Sequence, residues 1–158
     1  MELIPVTKEQ ITAFFMADPE LCMQGLCDAD LVHMHKCREY ELHKNSVYIG
    51  VKENCDIIAI LKYERFTELA LNIHIYTHTW LQHKGTMVGI RKTILDYCET
   101  QPVNKLIIMA PEPCTQVVKA ALRYGFKNEG QLTKVTMWRN QIVDLILFGY
   151  NLREAENG

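Results

Sequence analysis

The sequence predicts an α+β fold in which helices flank a mixed, mostly antiparallel sheet. Three observations lead to this prediction. Segments with alternating or continuous apolar residues are interspersed with segments whose apolar residues recur at helical spacing. A strand–helix–strand unit over residues 69–110 implies a right-handed crossover and therefore a locally parallel strand pair. Two closing strands are joined by a two-residue loop, which is typical of an antiparallel hairpin.

The amino-terminal part predicts one short strand followed by helices. Glu2–Pro5 is the first strand, and Val6–Met16 is a helix with Thr7 as its N-cap. Asp18–Pro19 ends this helix, since proline does not continue a helix. A second helical stretch is expected within Leu21–Tyr40.

Three strands follow in the central part of the chain. Ser46–Lys52 alternates apolar and polar residues, and Glu53–Asp56 is a hairpin turn. Ile57–Phe66 is an almost continuous apolar run, which predicts a strand inside the sheet, and Leu69–Trp80 is the next strand.

The remaining chain predicts two helices and three strands. In order, these are helix Thr86–Thr100, strand Lys105–Ala110, helix Thr115–Tyr124, and strands Leu132–Arg139 and Ile142–Tyr150. Pro102 follows the first of these helices, and Gly125 ends the second as a left-handed C-terminal stop. Asn140-Gln141 is the predicted hairpin loop.

Length and composition favour a single soluble domain over residues 1–150 with a short tail, 151–158. The chain has 158 residues, of which 48% are hydrophobic and 23% charged. The net charge of −2 argues against nucleic acid as a partner. Neither a signal peptide nor an apolar run long enough to span a bilayer is present, so we expect a cytoplasmic protein without a membrane partner.

The cysteines predict neither disulfides nor a zinc site. Without a secretory signal, reduced thiols are the better interpretation, and no metal is expected. They lack the Cys-x-x-Cys spacing of a metal site and stand at Cys22, Cys27, Cys37, Cys55, Cys98 and Cys114. His74-x-x-x-His78 lacks an evident third ligand.

A polar loop with the sequence Gln82-His83-Lys84-Gly85-Thr86-Met87 lies between a predicted strand and a predicted helix. The first N–H groups of a helix have no partner within the helix and carry partial positive charge, so such a loop can hold a pyrophosphate. The alternative is that Met87 packs into the core at the start of the helix and the loop holds no phosphate.

Three segments resemble the GNAT acetyltransferase superfamily. Gln82-x-x-Gly85-x-Met87 is similar to its Arg/Gln-x-x-Gly-x-Gly/Ala loop, Arg123–Gly130 to its Gly-Phe…Glu-Gly segment, and Arg139–Leu145 to its closing hairpin. The carboxyl-terminal half also resembles small GNAT-like proteins of tailed bacteriophages, whose location would be the host cytoplasm. The resemblance implies a single GNAT-like domain whose parallel strand pair splays apart.

The same resemblance implies a co-substrate, an activity and partners. Acetyl-CoA would be the co-substrate of an N-acetyltransferase acting on a protein lysine, an N-terminus or a small amine, and a homodimer is one further expectation. The implied cofactor contacts are Thr77, His78, Thr79, Gln82, His83, Lys84, Gly85, Thr86 and Met87.

The sequence departs from the family at positions that matter for catalysis. Ala121 stands where many members have a tyrosine acid, and Leu71 stands near the place of a glutamate base. Cys114 replaces a frequent asparagine, and Met87 replaces a small loop residue. An alternative function is therefore an inactive GNAT-fold protein that serves in assembly or interaction, for instance in a phage.

Two histidines and a tyrosine are the candidate catalytic residues. His74 and His78 share one face of a strand, and an imidazole can act as a general base near neutral pH. Tyr124 lies one helical turn after Ala121 and is a candidate acid. For all three, packing in the core is the competing interpretation.

Other polar residues have open interpretations. Glu64 and Glu68 are bases acting through water or solvated turn charges, and Cys114 is a nucleophile or an inert thiol. The segment His33–Arg38 and the nearby His43 line an acceptor pocket suited to an acidic acceptor, or belong to a solvated loop.

Overall fold

The computed structural model describes residues 1–81 and 85–153, and its elements follow the predicted order with one additional helix. The strands of this part are Glu2–Pro5 (β1), Val47–Glu53 (β2), Asp56–Thr67 (β3), Ala70–Thr77 (β4), Lys105–Pro111 (β5), Lys127–Trp138 (β6) and Gln141–Asn151 (β7). The α-helices are Lys8–Met16 (α1), Pro19–Gly25 (α2), Asp28–Cys37 (α3), Thr86–Glu99 (α4) and Thr115–Arg123 (α5).

Backbone hydrogen bonds join the strands in the order β1-β2-β3-β4-β5-β7-β6. Among the strand pairs whose register is described, β4 with β5 is parallel and the others are antiparallel. The parallel register pairs Ala70–Asn72 with Lys105–Ile107. The predicted α+β class is therefore confirmed. The sheet is mixed, and its parallel strands β4 and β5 are separated in the chain by the helix α4.

Contacts within the chain cluster into two units. The first contains residues 1–63 and 74–94, and the second contains 64–73 and the described residues from Leu95 onward. The apolar face of α1 contributes Ile11, Phe14 and Phe15 to the core of the first unit, where they are at most 4% exposed. In the second unit, Leu106 of β5 and Phe148 of β7 are buried. The single domain over residues 1–150 stays a prediction.

The first helix begins directly after its predicted N-cap, Thr7, and therefore two residues later than the predicted start at Val6. Thr7 accepts a hydrogen bond from the backbone N–H of Gln10, and the Gln10 side chain accepts one from the N–H of Thr7. This reciprocal capping box satisfies two N–H groups that would otherwise lack partners, which is why the helix starts at Lys8.

The prediction of one helical stretch within Leu21–Tyr40 was wrong, because two helices form there. Asp18 does not only end α1; its side chain caps α2, and Pro19 occupies the first turn, where its missing N–H costs nothing. Leu26 has an extended backbone (φ −86°, ψ 142°), which separates α2 from α3.

Two further boundaries were wrong. β4 ends at Thr77 rather than at Trp80, and a 3₁₀ turn, Thr79–Leu81, follows it. The closing hairpin turns at Arg139 and Asn140 rather than at Asn140-Gln141, since Trp138 pairs with Gln141. Arg139 and Asn140 have φ values of 49° and 63°, as a twist-matched two-residue turn requires. The Arg139 guanidinium lies 3.8 Å from the centre of the Trp138 ring.

The last hairpin is also longer than predicted. β6 begins at Lys127 instead of Leu132, and its pairing with β7 shifts register between Asn128 and Gly130. Such a shift is a β-bulge, which breaks the alternation of side chains and so obscures the strand in the sequence.

Candidate functional site

The end of β4 is tied to the start of α2 through a buried carboxylate. Asp18 is 3% exposed, and its Oδ2 accepts hydrogen bonds from the Thr79 N–H at 2.7 Å and from the Thr79 hydroxyl at 3.0 Å. Its Oδ1 accepts from the Leu21 N–H at 3.1 Å. Burial alone would raise the pKa of Asp18, but the hydrogen bonds from Thr79 and Leu21 outweigh burial and lower this pKa below its ordinary value.

His78 is packed between aromatic rings beside this carboxylate. It is 7% exposed, its ring stacks on Phe14 at 4.0 Å between centroids, and Trp80 lies at 4.2 Å. Its Nε2 is 2.9 Å from the carbonyl oxygen of Phe14. Because a carbonyl only accepts, Nε2 carries the proton and Nδ1 is the basic atom of the neutral ring. His78 therefore has a structural role, and any role as a base would use Nδ1.

The other two catalytic candidates lie apart in the chain. His74 is half-buried and its ring is nearly parallel to that of Tyr76, at 6.2 Å and 7°. Both belong to the first unit, as does His78. Tyr124 belongs to the second unit, where it ends α5 and is 7% exposed. The catalytic roles of all three stay predictions.

The predicted phosphate loop is described from Gly85 onward, and Gln82, His83 and Lys84 lie outside the described residues. Gly85 is exposed, and a Cβ built on it would meet no described atom within 4 Å. Packing against the described residues therefore does not require glycine here, whereas a ligand that approaches the backbone would.

The first turn of α4 contains no acidic residue. The Val88 N–H is already donated to the Gly85 carbonyl at 3.1 Å, so the N–H groups of Thr86 and Met87 are the candidates for an anion. Thr86 and Met87 are half-buried. The positive end of the helix is thus uncompensated by its own side chains, which fits a pyrophosphate.

A second polar cluster of the first unit links three ionisable side chains. Asp30 of α3 and Lys62 of β3 are 7% and 5% exposed, and His43 lies between them. The Nε2 of His43 is 2.8 Å and 3.0 Å from the two carboxylate oxygens of Asp30, and its Nδ1 is 3.0 Å from the Lys62 ammonium. Sequence reasoning found His43 but missed both partners. One sequence feature could have indicated this cluster: Lys62 is a charged residue directly after an apolar run, where a buried charge needs a partner.

One residue of the segment His33–Arg38 lies near acidic side chains. Nδ1 of His33 is 3.6 Å from a carboxylate oxygen of Glu41, and its Nε2 is 4.0 Å from one of Glu39. The acceptor pocket in this segment stays a prediction.

The remaining candidates have mainly structural surroundings. Glu64 accepts a hydrogen bond from the Asn72 amide at 3.1 Å, and Glu68 is exposed. Cys114 is 6% exposed, and burial raises the pKa of its thiol, although a hydrogen bond from the Val117 N–H acts in the opposite direction. Its surroundings therefore do not stabilise the thiolate that nucleophilic attack requires.

The six cysteines, all within the described residues, are free thiols. Nowhere in residues 1–81 and 85–153 do three or more His, Cys, Asp or Glu side chains converge as metal ligands would. The described helices include none that is long and apolar enough to cross a membrane.

Comparison with known proteins gives a match in structure but not in sequence. No protein-family model matches the chain, and no curated protein is detectably similar to it. The structure resembles the smu.2055 protein of Streptococcus mutans with a TM-score of 0.68 and 17% identity over 97% of this chain and 100% of that one.

Spermidine N-acetyltransferase from Vibrio cholerae is similar as well. A point mutant of that enzyme matches with a TM-score of 0.71 and 14% identity over 99% of this chain and 98% of that one. Its complex with CoA and spermine gives 0.68 and 14% over 96% and 95%. At these identities the likeness establishes the fold alone, which this chain shares with the spermidine N-acetyltransferase of Vibrio cholerae, as the resemblance predicts.

Proposed function

We propose that this protein is an acetyl-CoA-dependent N-acetyltransferase that transfers the acetyl group to an amine. One observation carries the proposal. An open glycine, Gly85, precedes an uncompensated helix start in a fold shared with an enzyme that has been solved with CoA. Since one fold can host many functions, the proposal depends on this position and not on the fold alone.

The cofactor would be held mainly by backbone groups. The first N–H groups of α4 bind the pyrophosphate, and Gly85 leaves room for it, with His83 and Lys84 as predicted additional contacts. Thr77, His78 and Thr79 are the predicted contacts of the pantetheine arm. The N–H and hydroxyl of Thr79 are already donated to Asp18, and the His78 carbonyl accepts from the Leu81 N–H at 3.0 Å.

Acetyl transfer depends more on the orientation of the two reactants than on a covalent intermediate with the protein. The acceptor amine must lose a proton, lie beside the thioester and meet a backbone donor for the developing oxyanion. In this proposal Nδ1 of His78, or His74, accepts the proton, and Tyr124 is the candidate acid for the leaving thiolate. The acceptor is a protein lysine, an N-terminus or a small amine.

Binding of acetyl-CoA is the first test. Acetyl-CoA at 100 times its dissociation constant should stabilise the folded protein by about 2.7 kcal/mol, measured as a shift in thermal unfolding. Gly85→Glu should remove the shift, because its side chain places a carboxylate at the pyrophosphate position. Thr133→Glu adds the same charge at an exposed position of β6 and should keep the shift. No shift at millimolar acetyl-CoA would exclude the proposed function.

The turnover number, kcat, tests which histidine acts as the general base. His78→Gln retains an amide N–H that can donate to the Phe14 carbonyl but removes the basic Nδ1, so kcat should fall about a hundredfold or more while acetyl-CoA still stabilises the protein. His74→Gln is the matched variant on the same strand. A loss confined to His74→Gln would assign the base to His74, and unchanged kcat in both would contradict both assignments.

A second candidate function is a GNAT-fold assembly or interaction protein without turnover, encoded by a phage. The observation that favours it is that two positions where the family places catalytic side chains are occupied by buried aliphatic residues. Ala121 and Leu71 are 1% and 4% exposed, and neither can exchange a proton where the family places its acid or base. Absence of acetyl-CoA binding combined with a stable fold would support this function over the enzyme.

A further inference from the structure

The chain of hydrogen bonds from Asp30 through His43 to Lys62 is not used by the proposed reaction. A carboxylate only accepts hydrogen bonds, so the His43 Nε2 carries a proton and donates it to Asp30. The lone pair of Nδ1 then faces the Lys62 ammonium at 3.0 Å. A base with a defined tautomer is thus aimed at an amine.

The position of the His43 ring is set by its neighbours. Its plane lies within 7° of the Tyr40 ring at 6.2 Å between centroids, and its backbone N–H donates to the Tyr48 hydroxyl at 3.0 Å. Tyr48 pairs directly with Lys62 across β2 and β3. The His43 ring is therefore positioned by the hydrogen bond of its backbone N–H, by the stacked Tyr40 ring and by the partners of both ring nitrogens.

An amine, an imidazole and a carboxylate in this order form the same arrangement as a nucleophile, a base and an orienting acid in covalent catalysis. Proton transfer from Lys62 to His43 would move the positive charge next to the Asp30 carboxylate. Asp30 and Lys62 are buried, whereas the His43 side chain is 35% exposed, so the cluster meets solvent at His43. The adjacent carboxylate lowers the free energy of the state in which the imidazole is charged and the lysine is neutral and nucleophilic.

We propose that Lys62 is a nucleophilic lysine that accepts an acyl group from a small thioester. His43 takes a proton from the ammonium, and the neutral Nζ attacks the thioester carbonyl, forming a C–N bond as the C–S bond breaks. The departing thiolate takes the proton from His43, and a second nitrogen proton passes to solvent. The products are Nζ-acyl-lysine and a free thiol.

The test is the rate of acetylation of Lys62 by the acetyl thioester of N-acetylcysteamine, followed by mass spectrometry of peptides from the folded protein. Lys44 is the internal control, because it is exposed on the same unit. Lys62 should react at least tenfold faster than Lys44.

Two variants identify the cause of that rate. His43→Gln keeps an N–H for Asp30 but removes the basic nitrogen, and Asp30→Asn removes the charge that stabilises the imidazolium. Each should lower the Lys62 rate at least tenfold and leave the Lys44 rate unchanged. Equal rates for Lys62 and Lys44 in the wild-type protein, or an unchanged Lys62 rate in folded His43→Gln, would overturn the proposal.

This inference does not depend on the cofactor site. The small thioester lacks the pyrophosphate, so Gly85→Glu should leave the acetylation of Lys62 intact while abolishing stabilisation by acetyl-CoA. Loss of one result without the other therefore shows which of the two proposals has failed. If the wild-type Lys62 does not outpace Lys44, the inference fails whether or not the variants fold.

Discussion

Asp18 and Asp30 are two buried aspartates of the same unit, each near the start of a helix, yet they have different partners. Asp18 caps α2 and, among the described residues, accepts from amide N–H groups and a hydroxyl. Asp30 lies in the first turn of α3 and accepts from an imidazole that leads to an ammonium. The donors of Asp18 keep their protons near neutral pH, whereas the Asp30 chain contains a proton that can move. The partner, more than the burial, decides whether a buried carboxylate only holds the fold together or can also support chemistry.

The largest effect is expected at Asp30. Asp30→Asn should lower the free energy of unfolding by about 3 kcal/mol at pH 7, because it removes the buried charge that accepts from His43 in the cluster with Lys62. Urea denaturation measures this loss. The double variant with Lys62→Met should recover part of it, since the two buried charges are coupled through His43. Strict additivity of the two substitutions would show that the three side chains are not coupled.

A smaller and pH-dependent effect is expected at Asp18. Asp18→Asn should cost about 2 kcal/mol at pH 7, because hydrogen bonds to a charged acceptor weaken. The pKa of Asp18 is lowered in the folded state, so its contribution is present above the unfolded pKa of about 3.9 and is lost as pH falls through the lower folded pKa. Denaturation from pH 7 to pH 3 should show the two proteins converging below about pH 4. A constant difference over this range would contradict the assignment.

The smallest effect is expected from removing one of the three hydrogen-bond donors to Asp18, the hydroxyl of Thr79. Thr79→Val preserves the shape and the backbone N–H but removes the hydroxyl that donates to Asp18, so the free energy of unfolding should fall by about 1 kcal/mol. Denaturant midpoints measure the change. A loss as large as that of Asp18→Asn would mean that the backbone hydrogen bond to Asp18 contributes little.

Local signals predicted most of the fold. The capping box of Thr7 and Gln10, the left-handed stop at Gly125 and the closing hairpin depend on residues a few positions apart, so their chemistry is visible in the sequence. The boundary errors have two kinds of cause. β4 ends early where Asp18, 61 positions away, takes the N–H of Thr79. The last turn shifted by one residue because Arg139 adopts a left-handed conformation beside Trp138.

The candidate site was predicted unevenly for the same reason. Gly85 and the helix after it follow from a short motif, and the structure adds that no described atom lies within 4 Å of a Cβ built on the glycine. The surroundings of His78 could not be predicted, because its hydrogen-bond acceptor is Phe14, 64 positions earlier. Lys62 was visible only as a charge beside an apolar run.

The sequence by itself determined the order of the elements, the parallel pair around α4 and the loop that begins this helix, because periodicity, caps and turn residues act over a few positions. Only the tertiary structure decided which polar groups were already engaged and which were left for a ligand or a reaction. Hydrogen bonds select partners by distance and direction, and in this chain the decisive ones join residues 13 to 64 positions apart.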